Sequence, residues 1–530
     1  MKTMTLTNLA GRLALALALA ASAMFMLPAD ANACGGCFSP PPPPGRQNTT
    51  QILQDAERVF FHHDPKTKRT LVWVEVKYSG LAENFGWVLP LPSVPEIGVG
   101  SSWIFDQLDQ RHAPRFTTKV DPKDENCRDW DEYCRGPLLN KNGGGQSSAD
   151  AGANAPSSEF GGADSGDEDG KVQILAQDKA GPYDYVVIAG TDPQKLLDWL
   201  NEKGFDTPAA ALPVIKSHVD KGDVFVGFKL QNSAGVKEIR PVVLDMKDAD
   251  PCVPLRLTAI AASDNMSVVA TLAGDGRAVP KNHMHVQINP TKVNWFNGAA
   301  NYGQVMAEAI DEAAGRAFVT EYAADAKDTV LLSDNNRMDA KPFETVTNSA
   351  ELGSAITTSK LLLNDDAANT IERVTGLAKA AGQQPLQYYA QLQNCSYYRG
   401  TNNSNYCFKR NRDNGTVPVD GPAVAKALDK DYIKPIHQLV DAIGASKKLS
   451  RLVMRISPEE MDRDPIFSFN ADLPDVDNKV EATFRKVCSR GWYPYDQVRM
   501  TLPGFGSWVI EGRLPGDTGK VGNNATDERF

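Results

Sequence analysis

Apolar and polar residues alternate with a period of two through much of the first half of the chain. Val72, Val74, Val76 and Tyr78 alternate with Trp73, Glu75 and Lys77, so residues 71–78 read as a strand with one buried face. Residues 59–63 precede it across the turn Asp64-Pro65-Lys66-Thr67, which completes a hairpin. The run Gly86-Trp87-Val88-Leu89-Pro90-Leu91-Pro92 reads as a further strand. Its prolines place it at a sheet edge, because proline cannot donate to a ladder. Ser101 or Ser102 caps a helix that runs to His112. Further strands are expected at 183–189, 224–230, 239–246, 255–261, 266–272 and 283–288, with Ser263-Asp264-Asn265 as a hairpin step. Between the first two, Asp192 caps a helix with Pro193 at its first position. Leu196, Leu197 and Leu200 lie on one face of that helix, and Gly204 stands just past its end.

After Asn289 the period changes to that of a helix. Tyr302, Val305, Met306, Ala309, Ile310 and Ala313 fall on one stripe, with Glu312 and Arg316 spaced to pair on the polar side. Helices also fit 366–381, 422–430 and 433–443, and Ser457-Pro458-Glu459-Glu460 is a capping box. Two short strands at 498–502 and 507–511 close the pattern. The fold class is therefore α+β: mostly antiparallel sheet with flanking helices, followed by a mainly helical C-terminal part.

Residues 1–33 read as a secretory signal. Lys2 and Arg12 carry positive charge, and Leu13 to Leu27 is apolar over about 15 residues, short of the roughly 20 that span a bilayer. Ala31-Asn32-Ala33 then supplies a cleavage pattern. Cys34 follows the cut and raises lipidation. Ala31 stands where a lipobox places leucine, so ordinary cleavage is the expectation over a lipid anchor at Cys34. No later stretch reaches the length of a transmembrane helix. The expected location is periplasmic or extracellular.

Export changes the reading of the eight cysteines, because an oxidising compartment turns paired thiols into disulfides. Proximity pairs Cys34 with Cys37, Cys127 with Cys134 and Cys395 with Cys407, which leaves Cys252 and Cys488 to join the middle of the chain to its end. A loop the size of 395–407 contributes about 3 kcal/mol by restricting the unfolded chain. Among 530 residues, 42% are hydrophobic and 23% charged, which is a globular composition. The net charge of -10 excludes a general nucleic-acid binder, since no surplus of cations exists to neutralise phosphates.

Composition also divides the chain. A CGGC tip and polyproline spacer occupy 34–45, and a β-rich segment occupies 46–140. Residues 141–170 form an acidic Gly/Ser/Ala linker expected to be disordered, because it has too little apolar surface to offset its ordering entropy. Within it, residues 164–170 begin like a calcium loop, but Ala176 stands where a bidentate glutamate is needed. An α+β segment covers 171–290 and is read as one domain with 46–140. A mainly helical domain covers 291–514, and 515–530 form a disordered tail.

Several of these motifs occur together in a known order. They are Cys34-Gly35-Gly36-Cys37-Phe38, Trp87 to Pro92 with Pro95-Glu96, Phe105-Asp106-Gln107-Leu108 with Ala113-Pro114-Arg115, Asp192-Pro193 with Leu197-Asp198-Trp199-Leu200, Pro254 to Ala259, and Ser457 to Met461 with Asp475-Val476. In this order the chain resembles the bacterial secreted domain-of-unknown-function family 2330. The resemblance implies an exported bacterial protein. It implies no activity, so no functional residue is carried over.

Candidate chemistry is sparse. CGGC could exchange disulfides if a helix N-terminus or a cation lowered one thiol's pKa, but prolines follow it, so a structural disulfide is expected. His283 and His285 share one face of a strand, as two zinc or copper ligands would, yet no third ligand is near. His62-His63-Asp64 sits at a hairpin turn. The signatures G-x-S-x-G, H-E-x-x-H, G-x-x-x-x-G-K-[ST] and G-x-G-x-x-G are absent. The expectation is a non-catalytic, envelope-associated binding or structural protein held by disulfides, with no cofactor and no metal. Its partner is an envelope protein or glycan. The alternative is an extracytoplasmic hydrolase, or a thiol-disulfide redox protein using Cys34 and Cys37.

Overall fold

The computed structural model describes residues 36–38, 53–79, 85–121, 172–205, 207–231, 238–253, 255–397, 417–487 and 497–511. The strands in chain order are β1 (Gly36–Phe38), β2 (Leu53–Asp64), β3 (Arg69–Ser79), β4 (Gly86–Leu91), β5 (Glu96–Val99), β6 (Arg115–Val120), β7 (Gln173–Ala180), β8 (Tyr183–Ala189), β9 (Val224–Leu230) and β10 (Val242–Lys247). They continue as β11 (Ala262–Gly274), β12 (Arg277–Pro280), β13 (Met284–His285), β14 (Ala317–Asp325), β15 (Lys448–Ile456), β16 (Phe467–Asn470), β17 (Lys479–Lys486), β18 (Gln497–Leu502) and β19 (Gly506–Glu511).

Two large sheets hold thirteen of these strands, and β12-β16 and β19-β18-β17-β6 form two smaller ones. An eight-stranded sheet has the order β13-β14-β15-β11-β2-β3-β10-β5, antiparallel except at β13/β14 and β2/β11. A five-stranded antiparallel sheet has the order β1-β4-β9-β8-β7. Val59, Phe61, Val72, Val74 and Val268 of the larger sheet share one core with Trp87, Leu89, Val187 and Phe228 of the smaller, so the two pack face to face. The far side of the smaller sheet is covered by two helices: Leu196, Leu197 and Leu200 from Pro193–Glu202, and Ile215 from Leu212–Val219, meet Val88, Val186 and Phe225. The far side of the larger sheet, through Phe60, Trp73, Val243 and Leu449, receives a layer of helices.

The helices that matter for the site are α1 (Ser102–His112), α2 (Leu255–Thr258), α3 (Tyr302–Asp311), α4 (Asp365–Thr375) and α5 (Pro385–Tyr397). Each starts or stops for a local reason. The Ser101 side chain accepts from the Trp103 amide at the start of α1, and Asn364 accepts from the Ala367 amide at the start of α4. Helix α4 ends at Gly376, whose φ of +63° is left-handed, so the helix expected over 366–381 is broken there. Asp192 caps its helix through the Gln194 and Lys195 amides, and Ser457 forms the full capping box, although only a single 3-10 turn follows it.

The α+β character holds, but some elements differ from the sequence reading. Residues 255–258 form helix α2 instead of a strand, because a short apolar run serves a buried helix as well as a strand. Strand 283–288 shrinks to Met284–His285. β14 and β15 depart from the helical pattern expected there, since Glu321 in β14 and Ser450 and Arg451 in β15 interrupt their apolar runs and are themselves buried. The proline-bearing strand β4 is no open edge: it pairs with β9 along its length and with β1 over Gly86–Val88, and all six of its residues are buried. Pro90 lies beyond the last β1 partner, where no ladder donor is required. Among the described residues, no helix is long and apolar enough to cross a membrane.

Candidate functional site

The second face of β3 is the starting point. Trp73, Glu75 and Lys77 share it, and the helical layer covers it, so Glu75 is only 2% exposed. Arg58 stands directly across the ladder from Glu75 and binds its carboxylate. Helix α1 crosses above and brings Asp106 and Asp109, one turn apart, onto the same guanidinium at 2.9 and 2.8 Å. The Phe105 ring lies 5.2 Å from the Arg58 guanidinium carbon.

Asp109 continues the chain of charges to Arg451 on β15. Arg451 also holds Glu321 at 2.8 Å, and the Tyr302 hydroxyl of α3 donates to Glu321 at 3.1 Å. Glu321 reaches this position through a bulge. Thr320 opposes Leu452 and Tyr322 opposes Arg451, which leaves Glu321 as the extra residue. The network thus runs Lys77, Glu75, Arg58, Asp106 and Asp109, Arg451, Glu321, Tyr302.

Burial sets the electrostatics. It pulls the Arg58 guanidinium down, but the Glu75, Asp109 and Asp106 carboxylates outweigh it and leave the group above the usual arginine value. Burial raises Glu321, against the pull of Arg451. Burial and then Glu321 raise the Tyr302 phenol. His112, at the end of α1, stacks on Tyr322 with ring centroids 4.3 Å apart and shares a 3.0 Å hydrogen bond with Thr329. Burial, helped by Arg451 and Arg111, lowers its imidazole to about 4.

Beside this network opens a cleft of about 430 Å³, bounded by Glu75 and Lys77 of β3, Trp103 and Asp106 of α1, and Asn364 and Asp366 at the start of α4. Its floor is rigid. Asp366 accepts from the Ser101 hydroxyl at 2.7 Å and the Ser102 amide at 3.1 Å, so one carboxylate ties two helix starts together. Beneath it the fully buried Arg240 donates to the Gly100 carbonyl at 2.9 Å and the Thr370 hydroxyl at 3.0 Å. Trp103 and Asn364 are half-buried, while Lys77, Asp106 and Asp365 are exposed at the mouth. A ring, amide and carboxylate at the opening of a small pocket suit a polar ligand with a flat face.

The residues singled out in the sequence lie elsewhere. His283 is buried against Phe318, with centroids 5.7 Å apart, whereas His285 is exposed and its Nε2 accepts from the Thr320 amide at 3.4 Å. His283 lies outside the short strand β13, and no cluster of three His, Cys, Asp or Glu suited to a metal occurs among the described residues. His62 shares a hydrogen bond with Ser446 at 3.1 Å and His63 with Thr70 at 2.9 Å. The backbone of Cys37 lies in strand β1 opposite Trp87. Cys395 lies in α5, and Cys252 is buried beside an isolated bridge to Ile466. Cys34, Cys127, Cys134, Cys407 and Cys488 lie outside the described residues, as does the 141–170 linker.

The sequence reading missed Arg58, Asp109, Glu321 and Arg451. One signal was present: Trp73 shares a strand phase with Glu75, and a tryptophan on an apparently polar face marks that face as covered.

No curated protein and no solved structure matches the chain. The family described as uncharacterized protein conserved in bacteria (DUF2330) matches residues 28–338, more than half of the chain and inclusive of Arg58, Glu75, α1 and Glu321. The chain belongs to that bacterial family.

Proposed function

We propose that the protein is an exported, non-catalytic binding protein of the bacterial envelope, held by disulfides, and that the Trp103 cleft receives a glycan. The leader at 1–33 and the even cysteine count support export and crosslinking. The observation that carries the binding reading is the state of the cleft's carboxylates. Glu75 and Asp106 each engage Arg58, and Asp366 engages Arg240. These ion pairs hold the three carboxylates in place as the wall of the cleft, and leave Trp103, Asn364 and Asp365 at its opening to meet a ligand.

The glycan reading rests on Trp103 as a stacking face, with Asn364 and Asp365 placed to meet hydroxyl groups. Purified mature protein is screened against peptidoglycan fragments and bacterial polysaccharides, beside Trp103→Ala and Asp365→Ala. Retention by the wild type that both substitutions weaken supports the proposal. Retention unaffected by Trp103→Ala, or no retained glycan, counts against it.

A further inference from the structure

On the opposite face of β2 from Arg58 lies a second buried carboxylate that the cleft does not use. Glu57 is 1% exposed, between β3 and β11, where its backbone neighbours are Val76 and Val268. Gln54, fully buried, donates through Nε2 to Glu57 Oε2 at 2.9 Å. The two sit three residues apart, which would normally put them on opposite faces of a strand. A register shift between Gln54 and Ala56 returns them to the same side.

The remaining two oxygens of this pair define the problem. Gln54 Oε1 and Glu57 Oε1 are both buried and neither meets a donor. Helix α2 brings the Thr258 hydroxyl to Glu57, where its hydrogen bond favours the charged form, and the segment before β16 presents the carboxylate of Asp464, which opposes it. Asp464 accepts the Arg256 amide at 2.9 Å, while the Arg256 guanidinium turns away to Ser217 at 2.9 Å. Among the described residues, no Lys, Arg or His forms an ion pair with Glu57. An ionised Glu57 would thus be a buried anion facing another carboxylate, beside an amide oxygen with no donor. One proton on Glu57 removes the charge and supplies the missing donor.

We propose that Gln54 and Glu57 form a proton-operated latch: with a proton on Glu57, the acid–amide pair holds the start of β2 against α2 and the Asp464 segment, and loss of the proton releases that contact. The start of β2 is tied there by the Gln54 amide to the Ala261 carbonyl at 2.6 Å, and by the Ser263 hydroxyl to the Gln54 carbonyl at 3.2 Å. These bonds are the ones the release would weaken. Burial, opposed by Gln54 and reinforced by Asp464, raises the Glu57 carboxyl from 4.5 to about 8, which puts the release in mildly alkaline medium. The folded state then holds a proton that the unfolded chain gives up. Stability from this group is full below about 4.5 and falls as pH rises toward about 8.

The test is urea unfolding of the full mature chain between pH 6.5 and 9, for wild type and Glu57→Gln. The wild-type unfolding constant should rise roughly tenfold or more across this window. Glu57→Gln keeps the shape and supplies a permanent N–H donor, so its rise should be smaller by about that factor. Equal pH dependence in both proteins overturns the latch. If Glu57→Gln does not fold, infrared spectra of wild type labelled at glutamate carboxyl carbons decide. A protonated carboxyl band at pH 7 that fades by pH 9, together with faster Gln54 amide exchange relative to the intrinsic rate, supports the proposal. Absence of that band at pH 7 overturns it.

Discussion

The ring of Trp73 lies so close over Gly100 that a Cβ at position 100 would stand 2.2 Å from it. The backbone cannot retreat, because the Gly100 carbonyl is held by Arg240 and its amide donates to Pro241 O at 2.7 Å. This contact locks the sheet to the start of α1, on which Trp103 and Asp106 are carried. Gly100→Ala should therefore destabilise the protein by about 3 kcal/mol, the upper part of the ordinary range for overpacking. Trp73→Leu alone leaves a void in the core and also destabilises. The double variant should lose less than the sum of the two, because the smaller side chain makes room for the methyl. Denaturant midpoints showing simple additivity would mean that the clash is relieved elsewhere.

Acid should weaken the fold through its buried histidines. His112 and His283 are both lowered from 6.5 to about 4, chiefly by burial, with Arg451 and Arg463 respectively adding to it. The unfolded chain takes up these protons below about 6.5, and the folded chain resists until about 4. Stability from each group is thus full above 6.5 and is lost as pH falls to 4, by about 3 kcal/mol for each histidine. Glu57 acts with the opposite sign, so the two effects oppose each other between about 4.5 and 6.5. His112→Gln should flatten the acid limb of a stability–pH curve and leave the alkaline limb unchanged. An unaltered acid limb would remove His112 from this account.

The elements most legible in the sequence were those whose signal is local. The Ser101 cap, the Asp192-Pro193 helix start and the Ser457 box depend on side chains within three residues of the backbone groups they satisfy. Strand β3 was legible because Val72, Val74 and Val76 face the core between the sheets. Its other face misled, because Glu75 is buried only after Arg58 neutralises it and α1 covers it. Strand β15 was hidden for the same reason. Arg451 looks like a surface residue until Asp109 and Glu321 arrive from distant segments. Long-range charge pairing leaves no period in the sequence, so the polar network could not be read from it.

Processing and crosslinking have a direct readout. The exported protein should begin at Cys34 without lipid, and its intact mass distinguishes that from a diacylglyceryl form. Non-reducing peptide mapping should recover Cys127 with Cys134 and Cys395 with Cys407. Recovery of Cys127 with any other cysteine would show that nearness in sequence is a poor guide here. Loss of the 395–407 crosslink should cost about 3 kcal/mol if it restricts the unfolded chain as loop entropy requires.

The charge network makes the sharpest claim about energetics. Arg451 stands between Asp109 and Glu321, with Glu321 almost sealed from solvent. Removing the cation in Arg451→Met leaves Glu321 as a buried anion whose remaining partner is the Tyr302 hydroxyl. Breaking one side of a buried pair in this way costs about 3–5 kcal/mol, mostly the penalty on the group left behind. Adding Glu321→Gln should recover much of that loss, since an amide carries no charge to strand and can still accept from Tyr302. The same rescue should appear at pH 5 in Arg451→Met itself, because burial already raises the Glu321 carboxyl and an unpaired Glu321 takes up a proton more readily still. Unfolding curves of the two variants at pH 5 and 7 check both statements. A loss in Arg451→Met that neither Glu321→Gln nor lower pH reduces would mean that Arg451 acts through packing of its stem and not through its charge.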